Sequence, residues 1–166
     1  MRKHAILLSG PLGVGKTSLG RALAARLGGG FVDGDDHSDA ELPWYCSTLR
    51  RGHAVVTTGL GLLEAHTFVI IAYPLRCTDW IFYKRRFDDA GVHSIFVNLR
   101  ASFEEIVAPT RGRKFTNAEQ ARIGVMIREG YSDRQFGDLT IDTGSQSFDA
   151  TFQVLASDVM RTIDGA

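Results

Sequence analysis

The first apolar block, Ala5-Ile6-Leu7-Leu8-Ser9, is too short for a helix and shows no polar alternation. It reads as a strand buried on both faces of a parallel sheet. The period then changes. Leu19, Leu23, Ala24 and Leu27 share one face of a helix from Ser18 to Leu27, which Gly28 can end. Phe31-Val32-Asp33 is a very short second strand, followed by the polar turn Gly34-Asp35-Asp36-His37. Ser38 or Asp39 can cap a helix to about Arg50, with Gly52 as its stop. Residues 53–72 carry two candidate strands. Ala54-Val55-Val56-Thr57 has strand composition, but Thr67 to Ala72 is the longer β-branched run and the better sheet strand. On that reading Thr58 to Ala65 is a short helix leading into it.

Pro74 closes this strand. A helix is expected from about Thr78 to Asp89, stopped by Gly91, and then a strand from His93 to Leu99. Ser102 and Glu105 form a capping box for a short helix through Val107, which Pro109 ends. Asn117 is the expected cap of a helix to about Glu129. Leu139-Thr140-Ile141-Asp142 is the last strand. Phe148, Phe152, Leu155, Val159 and Ile163 keep helical spacing in a final amphipathic helix. Alternating strands and helices predict an α/β fold whose parallel sheet is covered on both faces. No repeat, low-complexity segment or linker divides the chain, so residues 1–166 read as one domain.

Between the first strand and the first helix stands Gly10-Pro11-Leu12-Gly13-Val14-Gly15-Lys16-Thr17. A glycine, four residues, then Gly-Lys-Thr between a strand and a helix is the phosphate-loop pattern in its proper context. Glycines let successive backbone N–H groups turn toward anionic oxygens, and the helix N-terminus beginning at Ser18 adds its positive dipole end. Lys16 is placed to reach the β- and γ-phosphates, and Thr17 to offer its hydroxyl to Mg²⁺. A nucleotide with Mg²⁺ is therefore expected at this loop.

Composition narrows the partners. Nineteen basic residues balance nineteen acidic ones, so no global field draws the chain to nucleic acid or to an anionic membrane. No apolar run is long enough to span a bilayer, and Met1-Arg2-Lys3-His4 leads straight into a strand rather than a signal peptide. Cys46 and Cys77 lack metal-ligand spacing and read as reduced thiols, which suits a cytoplasmic protein. The expectation is a small-molecule partner, with the chain a monomer or a homodimer.

Ligands of open α/β sheets bind at the carboxyl ends of the strands. Asp33 and Asp35 end the second strand and would face the phosphate loop if that strand lay beside the first. One carboxylate could hold Mg²⁺, and the other could take the proton of an attacking hydroxyl. Asp35 is the favoured base, with Asp33 nearer the metal. Asp36 and His37 are either substrate contacts or solvated turn residues. Arg111, Arg113 and Lys114 form a basic loop suited to a lid over about residues 109–130, where guanidinium groups stabilise the charge of a moving phosphoryl group. Arg128 is either an anion ligand or a surface arginine at a helix C-terminus. Arg76 and Asp79 either reach the cleft or pair with each other.

These residues resemble a known group. The phosphate loop followed by Phe31-Val32-Asp33-Gly34-Asp35-Asp36 is similar to gluconokinase, with its Asp-Gly-Asp. The run Val69 to Arg76 ahead of Asp79 and Arg85 resembles gluconokinase and adenylylsulfate kinase. Arg128-Glu129-Gly130-Tyr131 with Asp138 to Thr143 resembles the Arg-x-x-Tyr and terminal strand of shikimate kinase. The resemblance implies the P-loop NTPase fold of the nucleoside-monophosphate-kinase-like group, a parallel sheet in the order 2-3-1-4-5 with a mobile lid. It also implies that the nucleotide is ATP, that Arg111 lies against adenine, that Arg128 contacts substrate, and that Gly144 and Ser145 offer backbone groups to the base. The chain departs from gluconokinase at Asp36-His37-Ser38, where that group has Leu-His-Pro, and Gly59-Leu60-Gly61 only hints at the glycine triplet of shikimate kinase.

The expected activity is transfer of the γ-phosphate of ATP to a hydroxyl of a small, gluconate- or shikimate-like metabolite. A cytidylate-like nucleoside monophosphate kinase is the nearest alternative, and residues 38–52 are short for the insert such an enzyme uses to cover its acceptor base. A non-catalytic ATP-binding module would have less reason to keep Lys16, Thr17, Asp33, Asp35 and the lid arginines together.

Overall fold

A computed structural model describes residues 2–37, 41 and 44–165 of the chain. Its sheet has five parallel strands: β1 (His4–Ser9), β2 (Gly30–Asp33), β3 (Phe68–Ala72), β4 (His93–Arg100) and β5 (Leu139–Asp142), in the order β2-β3-β1-β4-β5. Every residue of central β1 is buried, which is why it reads as an unbroken apolar run. Ile6 and Leu8 face one layer of core, with Leu19, Leu23, Leu155 and Val159. Ala5 and Leu7 face the other, with Val55, Leu63, Tyr83 and Phe87. Helices α1 (Lys16–Leu27) and α6 (Phe148–Asp164) thus cover one face, and α2 (Trp44–Ala65) and α3 (Cys77–Asp89) the other.

Helix ends follow local chemistry. α1 stops at Gly28, whose φ of 60° is the left-handed C-cap conformation. The short α4 (Phe103–Val107) carries the expected Ser102–Glu105 capping box. A single 3₁₀ turn, Pro109–Arg111, leads to α5 (Asn117–Arg128). The cap of α5 is Thr116 rather than Asn117, because Thr116 Oγ1 accepts from Glu119 N–H while the Glu119 carboxylate returns to the Thr116 N–H.

The larger correction lies in residues 44–65. The expected helix to Arg50, stop at Gly52, candidate strand at Ala54–Thr57 and short helix from Thr58 are one continuous α2. Its expected cap, Ser38 or Asp39, lies outside the described residues. Gly52 is not a stop but a contact: a Cβ there would come within 3.0 Å of the Phe82 ring on α3. Val55 and Val56 are buried against the sheet. Tertiary packing overrides both the glycine and the β-branched pair.

Candidate active site

The site lies at the carboxyl ends of the strands, where two cavities meet. The larger, about 660 Å³, runs along the phosphate loop from Leu12 to Ser18 and out past Arg111 to Gly144 and Phe148. The smaller, about 320 Å³, opens between α2, the end of β3 and α5. Leu12, Lys16 and Asp35 line both.

In the loop, Lys16 Nζ donates to the carbonyls of Gly10 (2.9 Å) and Pro11 (2.7 Å). Burial lowers its pKa to about 8, opposed by the carboxylates of Asp35 and Asp33 and reinforced by the charge of Arg113. Gly13 has φ +77°, and a Cβ there would stand 2.5 Å from the Phe115 ring. Both facts require glycine.

β2 does not lie beside β1; β3 separates them. Asp33 meets the phosphate loop by another route. α1 packs across β3, and Thr17 in its first turn donates Oγ1–H to Asp33 Oδ2 at 2.9 Å. The other oxygen, Oδ1, accepts from the Asp35 N–H at 3.1 Å, which fixes the turn. Gly34 between them packs under Tyr73, where a Cβ would lie 2.5 Å from the ring. The adjoining Thr17 hydroxyl and Asp33 carboxylate fit Mg²⁺, a cation that takes one or two protein oxygens and completes its shell with water and phosphate. No group of three or more His, Cys, Asp or Glu among the described residues forms an all-protein metal cage.

Beyond the loop, Arg111 is fixed at both ends of its guanidinium. One nitrogen donates to the Gly13 carbonyl at 3.1 Å, and the other to the carbonyl and hydroxyl of Thr143 at the end of β5. Thr143 Oγ1 donates in turn to the Val14 carbonyl at 2.9 Å. Arg113 lines the larger cavity, 4.7 Å above the Phe115 ring and 3.3 Å from Glu119. Lys114 is exposed and lines neither cavity. Gly144 lines the outer end, but its N–H and that of Ser145 both donate to Asp142 Oδ1, at 2.9 and 3.1 Å. Those bonds hold the Asp142 carboxyl below its ordinary pKa and occupy both N–H groups.

The smaller cavity is the part that sequence reading mostly missed. Arg76 lines it while also bonding Asp79 at 3.1 Å in the cap of α3, so both alternatives hold for Arg76, whereas Asp79 lines neither cavity. Arg51 on α2 and Arg122 on α5 join it, with Thr48, Tyr73 and Tyr131. Arg51 donates to the Tyr73 hydroxyl and lies 5.3 Å from its ring centre. Arg128 is not brought in: it is exposed on the far turn of α5, folded back toward Gly124. Asp36 is exposed and lines neither cavity. The available signal was helical spacing, since Thr48 and Arg51, like Arg122 and Met126, share a helix face.

No protein-family model matches the sequence, and no curated protein sequence is similar to it. Solved structures are. A gluconokinase from Sinorhizobium meliloti superposes with a TM-score of 0.68 at 16% identity, over 98% of this chain and 99% of its own. An APS kinase from Mycobacterium tuberculosis, solved with AMPPNP and APS, gives 0.68 at 18%, over 94% and 96%. A shikimate kinase from Acinetobacter baumannii, solved with shikimate, gives 0.60 at 21%, over 98% and 94%. Sheet order, phosphate loop and near-complete coverage together give this chain the fold of the small P-loop kinases.

Proposed function

We propose that the chain is a small-molecule kinase that moves the γ-phosphate of ATP to a hydroxyl of a small anionic metabolite. The observation that carries this reading is the position of Asp35 and Lys16, which line both cavities at their junction. A phosphoryl group crossing from one cavity to the other passes these two residues. Mg²⁺, when bound, neutralises charge on the β- and γ-oxygens. Thr17 and Asp33 are the residues to hold it. Lys16 steadies the phosphates, Asp35 orients the acceptor hydroxyl and takes its proton late, and Arg113 offsets charge on the transferring group. Residues 109–130 serve as the lid. Arg111, tied to Gly13 and Thr143, braces the phosphate loop against β5 and borders the base end of the larger cavity.

The acceptor's charge follows from its cavity. Arg51, Arg76 and Arg122 line about 320 Å³, with Asp35 as the facing carboxylate. Arg76 and Arg122 also pair with Asp79 and Glu129, while Arg51 meets the neutral Tyr73 hydroxyl; a carboxylate or phosphate ester on the acceptor answers the positive charge that this leaves. A cytoplasmic location, where Mg-ATP is abundant, belongs to the same proposal.

The test is an acceptor panel with Mg-ATP, read as ADP release. Sugar acids, shikimate, nucleoside monophosphates and neutral hydroxylated antibiotics form its arms. An anionic hydroxy compound should stimulate release, and stimulation by neutral compounds alone would refute the charge assignment. A response confined to nucleoside monophosphates would replace this reading with the nucleotide-kinase alternative.

A further inference from the structure

The lid loop carries one aromatic residue, Phe115, and its ring has two neighbours of different kinds. The first is the phosphate loop. The ring fills the pit above Gly13 with Ile106, and a Cβ at Gly13 would meet Phe115 at 2.5 Å and Ile106 at 2.9 Å. The second is Arg113, whose guanidinium carbon lies 4.7 Å from the ring centre. Arg113 and Phe115 both line the nucleotide cavity, and the Arg113 charge is felt at Lys16. The guanidinium also has a competing partner on its solvent side, Glu119 in the first turn of α5, at 3.3 Å.

We infer that Phe115 is a positioning residue: seated on Gly13, its ring face holds the Arg113 guanidinium over the phosphate loop against the pull of Glu119. This rests on the proposed role of Arg113 toward the γ-phosphate. A cation prefers the electron-rich face of an aromatic ring, and the attraction is larger where water is excluded. The seat on Gly13 ties the ring's position to the loop that binds the phosphates. The arginine is thereby placed relative to the nucleotide through one side chain, rather than through the whole lid.

A purely structural role would make any apolar side chain of suitable size sufficient. The ring meets Gly13 through its far edge, so Phe115→Met, which reaches that depth without a ring face, keeps the seat and removes the aromatic face. The probes are Mg-ADP and Mg-β,γ-imido-ATP, measured by calorimetry on the full chain, with the melting temperature as a control for folding. The readout is the affinity gained from the γ-phosphate, the ratio of the two dissociation constants. Arg113→Ala should reduce this ratio. Phe115→Met should reduce it by roughly fivefold, the range of a partly desolvated cation–aromatic contact. A melting temperature within a few degrees of the parent reports that Phe115→Met is folded, and taking the ratio to Mg-ADP removes any loss common to both nucleotides. If Arg113→Ala lowers the ratio and Phe115→Met does not, the ring is packing only and the inference fails. If Arg113→Ala leaves the ratio unchanged, Arg113 does not meet the γ-phosphate in the bound state and the inference fails, while the kinase reading stays with the acceptor panel.

Discussion

The two cavities are built in opposite ways. The nucleotide side is mainly backbone: eight consecutive residues, Gly10 to Thr17, form the loop, and Lys16 is held by two carbonyls of the same loop. The acceptor side is all side chains. Arg51 comes from α2, Arg76 from the cap of α3, Arg122 from α5, and each is held by a different partner: Tyr73, Asp79 and Glu129. A backbone cradle tolerates little change in the chain that forms it. A cavity of long side chains can be rewritten residue by residue while the fold stays the same. One fold can therefore keep its donor and vary its acceptor.

That contrast orders the expected effects of mutation. The largest falls where the cavities join. Asp35→Asn keeps the shape of the side chain and loses its charge. Transfer to the acceptor should fall by roughly two to four orders of magnitude, the span of a positioned acid–base group. Mg-ATP binding should remain, because the contacts of Asp33 and Thr17 are untouched.

Next is Lys16→Ala, confined to the donor side. A ligand at a hundred times its dissociation constant stabilises a fold by about 2.7 kcal/mol. For a domain of this size that is a thermal shift of roughly 5–10 °C. The parent should show such a shift with Mg-ATP and the variant should not, while both melt alike without nucleotide. The pKa of Lys16, lowered to about 8 by burial, adds a pH signature. The ammonium form binds phosphate, so parent affinity should weaken as pH rises through about 8, and calorimetry across that range reads it directly.

Arg51→Met belongs to the acceptor side. It keeps the apolar stem and removes the charge beside Tyr73. Acceptor KM should rise by about tenfold to a hundredfold, the equivalent of a charged hydrogen bond of 1.5–3 kcal/mol, with KM for ATP unchanged. A matching rise in KM for ATP would erase the distinction between the two cavities.

The smallest effect lies at the opposite end of the sheet, away from both. His4 and His93 start neighbouring strands, with ring nitrogens 3.3 Å apart. Burial first, then His93 and Arg2, lowers the pKa of His4; burial first, then Arg2, lowers that of His93, with Asp138 and Asp88 opposing and Lys84 adding. The unfolded chain therefore takes up protons at a higher pH than the folded one. Stability is complete above about pH 6.5 and falls as pH drops below it. His93→Gln should lose a few degrees less of melting temperature than the parent between neutral and mildly acid pH.

How legible each part was follows from the same contrast. The phosphate loop is contiguous, so a one-dimensional pattern contains it. Asp33 and Asp35 were legible as carboxylates at a strand end, but their route to the loop was not. It depends on α1 crossing β3 so that Thr17 reaches Asp33, a consequence of sheet order. The acceptor side was obscured at its first step. Gly52 reads as a helix stop until Phe82 is seen packed on it, and only a continuous α2 puts Thr48 and Arg51 on the wall of one cavity. Arg128 stood out in sequence because of Tyr131 three residues on, yet about one and two-thirds turns of α5 separate it from Arg122, the residue that faces the cleft. Long-range packing decided these points, and no local pattern encodes it.

The central claim is that a phosphoryl group passes from the larger cavity to the smaller beside Lys16 and Asp35. Phosphorus NMR of the chain with Mg-ATP and the anionic acceptor found in the panel follows that group directly. The account predicts that the γ-phosphate signal is replaced by a phosphate ester in the parent and persists in Asp35→Asn. Release of inorganic phosphate without ester formation, or an equal rate of ester formation in Asp35→Asn, would contradict it.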